Sequence, residues 1–406
     1  MGDGPADDIE AAASDRSVRA QALVVAGLST LSAALAAYEI APASVTPLIR
    51  DALAIDATRA GLLVSVMFGV AVVASLPAGA VLDRTNSRFA LALTVGAVLV
   101  AGVWGWVAAE RGNYYSLLAS RVLGGVVFVV VWNAGIDIVS RAVTVDRRAT
   151  AVGVFTASGP AGFAVGQSVS PSVASWLGWP AVFVVYNVLS VAGLALFWSS
   201  SRGLGRSSSG PAPTRAEFGD VLRNRSVWLV GTLGFLAYAL YLFVNSWAPS
   251  YLTDEIGLSL GLSGLLVAVF PAVGILSRIT GGYLSDRLFG GRRRPILVGS
   301  FLVAAPFLFA LASVRSVGVL VVALLGAGFA IQLTLGLSFA YVRELVVQRV
   351  AATAVAFQTS LGLAGAFLSP IAGGALVESA GYEVAFLLTA GLALVGVAIA
   401  AVLPEP

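Results

Sequence analysis

Gly79-Ala80-Val81-Leu82-Asp83-Arg84, followed by Arg88, recurs 203 residues later as Gly282-Tyr283-Leu284-Ser285-Asp286-Arg287, followed by Arg292, Arg293 and Arg294. Each copy closes a long apolar run. The same offset joins Gly159, Gly162 and Gly178-Trp179 to Gly362, Gly365 and Gly381-Tyr382. It is half the length of the 406-residue chain, so two similar units follow one another.

Composition sets the solvent. The chain is 58% hydrophobic and 11% charged, against about 25% charged residues in a soluble domain. It lacks the polar groups to cover a water-facing surface, so much of its exterior must meet lipid. Cys and His are absent, which excludes thiolate or imidazole metal sites, His-based triads and disulfides. All 24 basic residues are Arg. Without Lys there is no Walker A phosphate loop and no Schiff base, and nothing calls for a cofactor. Energy for transport would come from an ion gradient, with the proton as the expected coupling ion, or from a partner ATPase. A net charge of +3 does not suggest nucleic acid.

Twelve apolar runs are long enough to span a bilayer as helices. They cover 20–47, 60–82, 89–109, 114–139, 149–177, 180–198, 227–248, 261–284, 295–312, 317–342, 351–376 and 384–402. The fold class is therefore an all-α membrane protein with two pseudo-symmetric six-helix bundles. Residues 1–19 read as a disordered cytoplasmic tail, 20–198 as the first bundle, 199–226 as a flexible cytoplasmic linker and 227–406 as the second bundle. Thr214 to Arg223 has the pattern of a short amphipathic helix. With both termini inside, only Arg50, Arg59, Arg111 and Arg315 fall outside, Arg121 and Arg278 lie within spans, and the other eighteen are cytoplasmic. That bias sets the orientation; the expected location is the inner membrane of a prokaryote, with both termini cytoplasmic.

Twelve spans in two halves, a central linker and a G-x-x-x-D-R-x-x-x-R loop after span two resemble the major facilitator superfamily from about Ala20 onward. Arg121-Val122-Leu123-Gly124-Gly125 resembles the family's R-x-x-G motif. Gly153, Gly159-Pro160, Gly162 and Gly166 resemble the Gly-Pro motif of span five. Gly274-Ile275-Leu276-Ser277-Arg278 looks like the branches that handle nitrate, cyanate and organic carboxylates. The first loop copy departs from the fuller pattern at Thr85-Asn86-Ser87. The resemblance implies that Asp83 meets the start of span eleven near Ala351, and by pseudo-symmetry that Asp286 meets the start of span five. Asp83, Arg84, Arg88, Asp286 and Arg287 would then form gates.

Ionisable groups inside a span are costly and usually have a partner or a task. Glu39 lies roughly 12–16 Å from the outer end of span one, and Arg121 roughly 10 Å from the same face in span four. The two can pair, and protonation of Glu39 would break the pair; a static salt bridge is the other reading. Asp137, near the inner end of span four, suits a partner for Arg84 or Arg88 in the gate, or a solvated helix end. Arg278 has no acidic neighbour in its own span, and its planar fork suits a carboxylate or nitrate; pairing with Asp137, Glu344 or backbone carbonyls stays open. Tyr38, Asn133, Gln167, Tyr241, Asn245, Gln332 and Gln358 complete a mixed polar–aromatic site. Trp132, Tyr238 and Trp247 belong to the same set. Pro160 is expected to bend span five and free a backbone group.

The expected function is secondary active transport by alternating access, proton-coupled and moving a small organic or inorganic anion. Its alternative is a proton-driven multidrug exporter, and a non-transporting receptor is the third class. No enzyme activity is implied. The expected partners are the lipid bilayer and a small-molecule substrate, with a single chain sufficient for function.

Overall fold

A computed structural model describes residues 17–82, 85–202 and 214–405. Among these the chain is helical, with no β-strand. A bilayer core offers no water to backbone polar groups, so each crossing must satisfy its own as a helix. The first bundle consists of Val18–Ser44, Ala57–Leu82, Ser87–Glu110, Tyr114–Ala142, Val145–Leu177 and Val185–Ser200, spans one to six. Arg225–Asp254, Leu260–Leu288, Arg294–Ser313 and Val317–Glu344 are spans seven to ten. The last helix, Ala351–Ala401, contains two spans, because Gly381 breaks it with φ of 83°. Gly178, its counterpart, ends span five with φ of 85°. At both positions a left-handed turn that glycine adopts without a Cβ clash reverses the chain with almost no loop.

Polar residues set several of the other boundaries. Asn86, Asn113 and Asn224 accept hydrogen bonds from Arg88, Ser116 and Ser226 N–H groups at 2.9, 3.0 and 2.9 Å, capping spans three, four and seven. Thr214 and Glu217 form a reciprocal capping box on the linker helix Arg215–Arg223. Asp220 of that helix pairs with Arg349, at 2.9 Å, before span eleven. A short helix, Thr46–Leu53, follows span one at the end opposite the termini.

Each bundle has its own apolar core. Leu28, Leu63, Leu91, Leu117 and Phe183 lie in one, and Leu233, Leu240, Phe270, Phe301 and Phe386 in the other. The second core also takes in Ala36, Ile40, Val64, Phe68 and Phe163 of the first bundle, so the halves pack on each other. Leu93, Val100, Leu302, Phe309 and Leu392 are exposed on the rim. That is the expected surface of a protein solvated by lipid tails.

Candidate functional site

The two intramembrane arginines are both held by backbone carbonyls. In a helix the carbonyl of residue i accepts from the N–H of residue i+4, and a proline there has none to give. Pro42 thus leaves the Tyr38 carbonyl open. Arg121, fully buried, donates Nη1 to it at 2.9 Å, Nη2 to the Glu39 carbonyl at 2.6 Å and Nε to the Leu63 carbonyl of span two at 3.0 Å. Its guanidinium also sits 4.6 Å from the centre of the Tyr38 ring, a cation–π contact.

Glu39 is 1% exposed. The sequence suggests a side-chain ion pair with Arg121; the structure brings the two together through the main chain instead. No ion pair joins the Glu39 carboxylate to a cation among the described residues, and its Oε1 has no hydrogen-bond partner there. The physical reason is Pro42, which presents Arg121 with a fixed carbonyl at the right distance. Tyr38 is fully buried beneath Arg121.

Arg278 repeats the arrangement across the bundle interface. Pro160 leaves the Thr156 carbonyl of span five open, and Arg278 Nη1 donates to it at 2.9 Å. Of the partners the sequence leaves open, Asp137, Glu344 and a backbone carbonyl, the carbonyl is the one observed. Asp137 bonds Arg141 at 2.7 Å, and Glu344 bonds Arg293 at 3.0 Å. Arg278 lines a cavity of about 810 Å³ between spans one, five and eight, with Ser29, Thr30, Thr150, Thr156 and Ser158 among its walls. Tyr238 and Tyr241 of span seven lie within electrostatic reach of both Arg278 and Glu39. Tyr241 is stacked between Phe163 and Phe270, each at 5.6 Å.

The end opposite the termini is shut. Gln167 of span five accepts from Ser44 of span one and donates to the Asn245 carbonyl of span seven at 2.6 Å. Pro249 is what opens that carbonyl. Glu378 of span eleven accepts from Ala57 N–H, the first residue of span two, at 3.0 Å. The described bond between the bundles nearer the terminal end is Arg278 to Thr156, beside the cavity.

Other predicted site residues have more local engagements. Gln332 donates to the Phe270, Pro271 and Gly328 carbonyls at 3.1, 3.4 and 3.3 Å, stitching span ten to span eight. Gln358 donates to Ser338 Oγ at 3.0 Å, and Asn245 Nδ2 to the Tyr241 carbonyl at 2.8 Å. Asn133 is half-buried on span four. Among the gate residues, Asp83 and Arg84 lie outside the described residues. Arg88 donates to the Trp198 carbonyl at 3.0 Å and stacks 4.3 Å over its indole rather than reaching Asp137. Asp286 pairs with Arg293 at 2.7 Å, not with the start of span five, and Arg293 in turn holds Glu344. Arg293, at the N-cap of span nine, supplies the cation that Asp286 takes. Arg287 is exposed. Sequence reasoning missed Thr156 and Glu378; Pro160 marks the first, but nothing local marks the second.

The family model of the Major Facilitator Superfamily matches residues 25–368 and 234–406. The chain belongs to this superfamily. Like other members it is a multi-pass membrane transporter, not an enzyme. The superfamily relatives include the hexuronate transporter of Bacillus subtilis, 25% identical over 86% of each chain. A probable L-galactonate transporter of Escherichia coli is 26% identical over 61% of this chain and 58% of its own length. A probable nitrate/nitrite antiporter of Thermus thermophilus is 29% identical over 54% and 50%. This chain thus aligns with little more than half the length of the last two. A bacterial homologue of the lysosomal transporter Spinster, solved inward-facing and unoccupied, shares the superfamily fold with a TM-score of 0.80. It is 17% identical and covers 95% of this chain and 97% of that one.

Proposed function

We propose that this superfamily member is a proton-coupled secondary transporter that moves a small anion by alternating access, with Arg278 as the anion's ligand. The observation that carries the reading is the setting of Arg278. It lines the cavity between the bundles, and its described partner is a neutral carbonyl rather than a carboxylate. A guanidinium so placed favours an anionic group, which it can hold through two parallel hydrogen bonds. The cavity accommodates an organic acid as readily as an inorganic anion, and the hexuronate, galactonate and nitrate relatives support both. Glu39, buried beside Arg121 without a cation on its carboxylate, is the group suited to carry the proton.

Both termini face the cytoplasm of the inner membrane in this reading, so the open cavity faces inward. One chain supplies both bundles and can work as a monomer. The test is counterflow in proteoliposomes with labelled glucuronate, L-galactonate and nitrate. At least one should exchange in the wild type, and Arg278→Ala should abolish exchange while the protein still folds and inserts. Efflux of cationic dyes with no anion exchange would instead establish the multidrug exporter.

A further inference from the structure

Three carbonyls across the two bundles have lost their helical donor to a proline four residues on, and each takes a side-chain donor from another helix. Tyr38, freed by Pro42, takes Arg121; Asn245, freed by Pro249, takes Gln167; Thr156, freed by Pro160, takes Arg278. The first two donors are fully buried and make further bonds within the packed helices. Arg278 differs. It is half-buried on the cavity wall, and its hydrogen bond to Thr156 is the described one that ties the bundles together beside that cavity.

We propose that the Thr156 carbonyl is the resting partner of Arg278, and that the anionic group of the substrate displaces it. Pro160 is then a positioning residue for transport: it creates the acceptor that competes with the substrate. This rests on the reading of Arg278 as the anion's ligand. A carboxylate or nitrate binds a guanidinium through charge-assisted, often bidentate bonds, which are stronger than a bond to a neutral carbonyl. Arrival of the anion therefore frees span five from span eight, and its departure restores the tether. Binding and the mechanical link between bundles are mutually exclusive uses of one side chain. The competition lowers affinity, since part of the anion's binding energy goes into breaking an existing bond.

Pro160→Ala supplies the missing N–H, which would occupy the Thr156 carbonyl from within span five. Pro160→Ser does the same with a different side chain and serves if the alanine variant misfolds. Affinity for glucuronate, L-galactonate and nitrate is measured by calorimetry on purified protein, with melting temperature as the check on folding. The expected result is a rise of roughly tenfold for the bound anion, the scale of one hydrogen bond to a charged group. A folded variant with unchanged or weaker affinity overturns the proposal. The tether has its own readout, independent of any substrate. Spin labels at Val145→Cys and Leu288→Cys, both exposed at the terminal end, report the distance between spans five and eight in anion-free protein. Pro160→Ala should broaden that distribution and move it outward, and an unchanged distribution overturns the tether. If no probe binds while the distances do shift, the substrate reading of Arg278 fails and the displacement proposal with it.

Discussion

Gly61 and Gly264, 203 residues apart, each press against a backbone carbonyl of the opposite bundle. Gly61 of span two meets Pro370 of span eleven, and Gly264 of span eight meets Gln167 of span five. Pro370 and Gln167 are themselves 203 residues apart. The internal repeat is thus also a repeat of the interface, and a side chain at either glycine would collide with main chain. Gly61→Ala and Gly264→Ala should each disfavour the closed far end by about 1–3 kcal/mol, the usual cost of overpacking. Spin labels at Ala52→Cys and Ala380→Cys, exposed on opposite bundles, should show a longer distance in both variants. Unaltered distances would mean that the contact does not govern closure.

Glu378 has no such twin. Its bond to the first N–H of span two places a carboxylate at a helix start, where free N–H groups and the helix dipole favour negative charge. Ser175, the residue 203 positions earlier, carries no charge. Glu378→Ala should lengthen the Ala52–Ala380 distance, and Glu378→Gln should do so less, since its amide oxygen still accepts. Equal behaviour of both variants and the wild type would rule out a latch at this contact.

Arg121 satisfies three carbonyls at once. Arg121→Ala should cost about 3 kcal/mol or more, because the open Tyr38 carbonyl is left buried. Lysine should recover little, as one ammonium cannot reproduce the directed fork. Thermal melting in detergent measures both.

Glu39→Gln should behave as a permanently protonated carrier. Substrate exchange across liposomes should persist at near wild-type rates, while accumulation driven by a pH gradient is lost. Full accumulation by the variant would take Glu39 out of the coupling step.

Cys introduced at Ala216, exposed on the linker helix, is the only thiol in the protein. It should react with impermeant reagents in inside-out vesicles and not in sealed cells. Reaction from the outer side would reverse the orientation.

Spans and the repeat were legible because lipid reads hydropathy along the chain, and hydropathy is a property of segments. The spans came within a few residues of their observed ends; span seven runs further, to Asp254. Arg121 and Arg278 stood out for the same reason, since charge in an apolar run is conspicuous. Their partners did not. A backbone carbonyl has no sequence signature, except that a proline four residues later bares it, and Pro42, Pro160 and Pro249 each did so. What the chain could not reveal is which distant donor would find each one. Gln167 and Asn245 show the difficulty. A polar side chain facing a cavity and one facing a neighbour's open carbonyl look alike in one dimension; Gln167 bonds across the interface to the main chain of Asn245, while the Asn245 side chain bonds the Tyr241 carbonyl of its own helix.

The turns at Gly178 and Gly381 leave almost no slack between consecutive spans. Span eleven lies on the interface, while span twelve exposes Leu388, Leu392 and Val395 at the rim. A lever with so short a joint cannot swing at one end and rest at the other. Under alternating access, motion of span eleven would therefore pass into the surrounding acyl chains, and the stiffness and thickness of the bilayer would become part of the work of each transport cycle.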